Sequence, residues 1–141
     1  MGSVTLAQVP AFETFAKDRS VTYVYVSRGI LSLAGSVDYT QLGLSPDMQK
    51  VIHKLDALQV IRSDGPKSSG RTEKSVQRIL QKGRYTRVMQ LDEAGKEVTV
   101  YQGSSDDATV LVMCSREGPG YIVTVFSGTF TLDEIVELVR H

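Results

Sequence analysis

YTRVMQLDEAGKEVTVYQGSSDDATVLVMCSREGPGYIVTVFS, residues 85–127, reads as four short strands separated by turn residues. The strands are expected at 85–91, 97–102, 109–115 and 120–127. Between them lie Asp92-Glu-Ala-Gly95, Gly103-Ser-Ser-Asp-Asp107 and Glu117-Gly-Pro119. Links this short join antiparallel neighbours, because a parallel crossover needs a dozen residues or more. The stretch is therefore an antiparallel meander.

Working outward towards the C-terminus, Thr131 and Glu134 have the spacing of a capping box, and Phe130 and Ile135 that of a hydrophobic staple. Ile135, Leu138 and Val139 share one helical face, so a closing helix is expected from Thr131 onward. Towards the N-terminus, residues 72–82 read as a helix capped by Thr72, with Val76, Ile79 and Leu80 inward and Gly83 as its stop. Leu58 to Ser63 reads as a further strand. Ser45-Pro46-Asp47 starts another helix, whose apolar stripe is Met48, Val51, Ile52 and Leu55. Residues 29–34 suit a helical turn, and Ala11 to Lys17 a short helix. Val21 to Ser27 is apolar or aromatic on both faces, which predicts a central strand covered on both sides.

These elements define an α+β fold. The expected architecture is a two-layer sandwich: a mainly antiparallel sheet of about six strands, helices on one face, and a C-terminal helix. Residues 11–141 fit one domain, and residues 1–10 are expected to form a flexible N-terminal segment. Met1-Gly-Ser3 reads as an initiator and cloning scar, and Val4 to Ala7 resembles the tail of a secretory signal.

Bulk composition removes several classes. The 41% apolar and 23% charged content is ordinary for a globular chain. No apolar run approaches the roughly 18 residues that a membrane-spanning helix requires. The single cysteine, Cys114, excludes an intrachain disulfide framework and lies in an apolar run, so a buried inert thiol is expected. With only two histidines, His53 and His141, a zinc site has too few ligands. No metal or cofactor is expected. Net charge is zero but polarised. Residues 62–87 carry eight basic and two acidic groups, whereas residues 92–141 carry three basic and nine acidic.

The patterns that could carry chemistry are few. Gly65-Pro-Lys-Ser-Ser-Gly-Arg-Thr72 approaches a phosphate-binding loop, but Arg71 stands where that loop needs lysine. The groups Asp106/Asp107 and Asp133/Glu134/Glu137 sit in a turn and at a helix N-terminus, where acids have structural reasons to be. No catalytic residue is assigned. The remaining candidate is a basic stripe: Lys74, Arg78 and Lys82 share one helix face at i, i+4, i+8, with Arg71 a turn earlier. Such a face suits phosphate, sulfate or anionic lipid headgroups. Aromatic side chains that would stack bases do not interleave it, so nucleic acid is not expected.

Several stretches together are similar to the family called domain of unknown function 4252. They are Phe12-Glu-Thr-Phe-Ala-Lys17 followed by Val21-Thr-Tyr-Val-Tyr-Val-Ser27; Ile30-Leu-Ser-Leu33; Leu55-Asp-Ala-Leu-Gln-Val-Ile-Arg-Ser63; Tyr85 through the hairpin to Tyr101; and Gly128-Thr-Phe-Thr-Leu-Asp-Glu-Ile135. The resemblance implies a small exported envelope protein of Bacteroides-related bacteria, located in the periplasm or outer envelope. It implies no catalytic residue. The expected function is a non-enzymatic binding or structural module for another envelope protein or an anionic glycan or lipid. The alternative is an enzyme with an unrecognised site, such as a hydrolase.

Overall fold

A computed structural model of the chain describes residues 10–27, 54–105, 108–130 and 133. It contains a 3-10 helix (Pro10–Lys17), β1 (Thr22–Ser27), β2 (Leu55–Ser63), α1 (Pro66–Lys82), β3 (Thr86–Glu93), β4 (Lys96–Ser105), β5 (Ala108–Glu117) and β6 (Gly120–Gly128). All strand pairs are antiparallel, and the order across the sheet is β1-β2-β6-β5-β4-β3. The expected meander is thus β3 to β6, and β2 and β1 extend it. The expected helix at 45–55 lies outside the described residues except at its end, and there Leu55, read as part of its apolar stripe, is instead the first residue of β2. Of the expected helix from 131 onward only Asp133 is described, and the turn at 29–34 lies outside the described residues.

The turns follow from local chemistry. Glu93 pairs with Lys96 across Ala94-Gly95, whose φ angles of 43° and 84° match the twist of a two-residue hairpin. Glu117 pairs with Gly120 across Gly118-Pro119, where Gly118 takes φ 58° ahead of the proline.

Alternation along β2, β5 and β6 builds two cores, one per sheet face. On the first, Val110, Val112, Val123 and Val125 pack with Phe12 and Phe15 of the 3-10 helix and Val76 and Leu80 of α1. Both described helices therefore lie against this face. On the second, Leu58, Leu111 and Phe126 form the centre, with Val98, Val100 and Phe130 around them. This face is buried as fully as the first: Leu58 and Leu111 are 0% exposed. Helices on one face account for the first core only.

Two further expectations are corrected. β1 is an edge strand rather than a central one, pairing only with β2 among the described residues. Its apolar density has another cause. Val26 enters the second core, the Tyr23 hydroxyl accepts a 2.8 Å hydrogen bond from Gln59 Nε2, and Tyr25 remains exposed. Tyrosine offers both an apolar ring and a polar tip, so it suits an edge. Second, α1 begins at Pro66, not at Thr72. Gly83 ends α1 as expected; its φ is −84°, and the left-handed residue is the following Arg84, at φ 57°. Glycine is needed at 83 for room. A Cβ there would lie 2.7 Å from Tyr85 Cε1, and one at Gly103 would lie 2.6 Å from Tyr85 Cε2. The Tyr85 ring is held in a slot between two glycines.

Candidate anion-binding face

α1 starts where the chain leaves β2. Gly65 is extended, with φ −93° and ψ 154°, and Pro66 supplies the pre-set φ of a first helical residue. Serine and threonine then fix the helix start to the sheet. Thr72 is buried, and its hydroxyl lies 2.8 Å from that of Ser63. The Ser69 hydroxyl donates to the Pro119 carbonyl at 2.7 Å, tying α1 to the β5–β6 turn. Val76 and Leu80, facing the sheet, are 0% and 3% exposed. The residue read as a cap is therefore an internal anchor, because its hydroxyl finds a buried partner on β2.

The opposite face of α1 carries the basic residues. Arg71, Lys74, Arg78 and Lys82 are all exposed. Because the helix begins six residues earlier than the sequence suggested, Lys67 joins them and is exposed too. At about 100° per residue these five side chains fall within about 80° of arc, and the row is about 22 Å long. Lys67 was missed because Pro66 and Gly70 read as loop residues. The available signal was Ser69, Thr72, Val76 and Leu80, the buried stripe, which recurs at i, i+3, i+7, i+11 and extends the helix back past Thr72.

Little neutralises the row. Glu73, the only acidic residue of α1, pairs with Arg116 on β5, and Arg116 lies 5.7 Å over the Tyr121 ring. Among the described residues, none of the five cations shares an ion pair. The carboxyl of Asp18 is held below its usual range chiefly by the Ser20 side chain and backbone, with a smaller contribution from Arg71. No acid occupies the first turn of α1, the place where a helix dipole favours one. Lys67 sits there instead, against the dipole.

Other candidates are less productive. Residues 66–70 are helical and the sheet beside them is antiparallel, so no loop can wrap a phosphate. ATP and GTP should accordingly show no specific affinity at Gly65 to Thr72; a magnesium-dependent micromolar affinity abolished by Arg71→Ala would contradict this. Asp106, Asp107, Glu134, Glu137, His53 and His141 lie outside the described residues, and Asp133 is exposed. The described residues hold no cluster of metal-ligating side chains. An open depression of about 490 Å³ beside the β3–β4 turn is lined by Asp92, Glu93, Lys96, Glu97 and Arg116.

Cys114 is buried on the first face, and burial pushes its thiol up to about 11, with the Tyr121 hydroxyl pulling slightly the other way. A free thiol titrates near about 8.5. Native protein should therefore label slowly with thiol reagents, and the rate should stay low as pH rises from about 7 to about 9. Rapid stoichiometric labelling without denaturant would overturn the assignment.

A family model described as a domain of unknown function (DUF4252) matches residues 14–138. No curated protein and no solved structure matches the chain.

Proposed function

The chain belongs to the DUF4252 family, and from that premise we propose that it is a non-enzymatic binding module of the cell envelope, taking an anionic partner on the solvent face of α1. The observation that carries this reading is the row Lys67, Arg71, Lys74, Arg78 and Lys82, exposed along one side of a helix whose other side is fixed in the core. A charge row built on a rigid element keeps its geometry, and a partner with matching spacing loses little freedom to meet it. The envelope location is part of the same proposal. It is supported by the signal-like residues Val4 to Ala7 and implies that the partner is met outside the cytoplasm. A closing helix over residues 131–141 and a two-layer arrangement belong to the proposal as well.

The test is a titration of the full chain with soluble acidic glycans and with anionic vesicles. Arg71→Gln, Lys74→Gln and Arg78→Gln are combined in one variant. Each basic group near an anionic surface contributes about 1 kcal/mol, so the triple variant should lose about 100-fold in affinity. The three positions are exposed, and the urea midpoint should hold, since such surface changes stay within about 0.5 kcal/mol each. Unchanged affinity for every anionic probe would remove the proposal.

A further inference from the structure

We infer that the occupant of this face is a linear acidic glycan lying lengthwise along α1, rather than a membrane surface. The inference rests on the anion-binding reading above and names the partner class. Three observations favour it.

The first is shape. The five cations form one narrow row of about 22 Å, at successive spacings of four, three, four and four residues. A narrow, straight row matches a chain of anionic groups repeating along one line. A membrane surface would engage a broad basic area equally well and gains nothing from the alignment.

The second is the lack of an apolar rim. A helix that docks on lipid lays apolar side chains into the headgroup boundary. Here the apolar side of α1 is taken up by the sheet, with Val76 and Leu80 buried. The row is flanked instead by amide side chains: Gln81 is exposed beside Lys82, and Gln77 is half-buried. Amides both donate and accept, which suits the hydroxyls of a sugar. Among the described residues Tyr25 is the exposed large hydrophobic, and it stands on edge strand β1.

The third is that the row begins at an unfavourable position. Lys67 opposes the helix dipole in the first turn, where no acidic residue stands. A cation kept at that disfavoured position fits a ligand that reaches the N-terminal end of the row.

The experiment titrates the full chain with heparin oligosaccharides of graded length, with vesicles of phosphatidylglycerol and phosphatidylcholine, and with oligothymidylate. Affinity for the oligosaccharides should rise with length until the ligand covers the row, and then level off. Five contacts should give a slope of log K against log salt near about −3.5, and Lys67→Gln should reduce its magnitude by about 0.7. Lys67→Glu should raise the urea midpoint while weakening glycan binding; a purely structural residue would not move the two readouts in opposite directions. Vesicle binding without glycan binding, still sensitive to the row, would overturn the glycan assignment and leave the anion-binding face standing. Oligothymidylate binding as tightly as the glycan would also overturn the assignment. Binding of no probe, or binding indifferent to the row, would overturn both readings.

Discussion

Gly128→Ala should destabilise the protein by about 3 kcal/mol or more, at or beyond the upper end of overpacking costs. Gly128 ends β6 and pairs with Leu55 on one side and Thr109 on the other. At that point β2 is bulged: Leu55 pairs with Gly128 and Ala57 with Ser127, leaving Asp56 as the extra residue. The bulge brings the β2 backbone against Gly128. An added Cβ would press onto the Lys54 carbonyl oxygen and lie 2.8 Å from Leu55 Cα and 3.1 Å from Asp56 N. These are backbone atoms, so no rotamer change relieves the overlap. Relief would require β2 and β6 to part, and that would also weaken the 3.0 Å hydrogen bond from Thr129 N–H to the Lys54 carbonyl. Gly70→Ala is the control. A Cβ there meets nothing within 4 Å, and the position is helical. Alanine in a helix is favoured over glycine by about 0.5–1 kcal/mol, so this variant should gain stability. Urea midpoints moving in opposite directions for the same chemical change would establish that contact at Gly128, rather than the loss of glycine, is responsible. A Gly128→Ala midpoint near wild type would mean that the β2 bulge lies elsewhere.

The contrast between those glycines marks where the sequence was readable. The β3–β6 meander was legible because its turns carry their own chemistry: Ala94-Gly95 and Gly118-Pro119 impose tight reversals whatever surrounds them. The start of α1 was not, because proline, two serines and a glycine at 66–70 have the composition of a loop. What overrides that composition is tertiary. Ser69 and Thr72, both buried, reach partners on the β5–β6 turn and on β2, contacts 50 and nine residues away in the chain. The place of β1 was misread for a related reason. Apolar residues on both faces signal burial, yet neighbour order is a long-range property, and tyrosines at 23 and 25 tolerate an edge. Arg71, Lys74, Arg78 and Lys82 were placed on one helix face from spacing alone. Lys67 depended on the helix boundary, the least certain part of any reading of local pattern.

The near-continuous apolar runs of β5 and β6 hold a further consequence, which Phe126→Ala measures. Strands buried on both faces read as unbroken apolar stretches, and 110–114 and 121–126 do so with one exception, Thr124. Phe126 is the centre of the second face. It is 1% exposed and stands directly between Leu58 on β2 and Leu111 on β5. Its ring meets that of Phe130 edge-on, at 6.5 Å and 79°. Truncation should cost about 3–5 kcal/mol, a large part of a typical total of about 5–15 kcal/mol. Phe130→Ala should cost less, since that residue closes the rim of the cluster. The double variant should fall short of the sum by about 0.5–1.5 kcal/mol, the value of an aromatic pair beyond its buried area. Urea melts of the four proteins complete the cycle. A loss of under about 1 kcal/mol for Phe126→Ala would mean that water already reaches this face, since a fully buried phenylalanine contributes about 1.5–3 kcal/mol from burial alone. The sheet would then be packed on its helical side only, and the second face would be an exposed apolar surface needing a partner of its own.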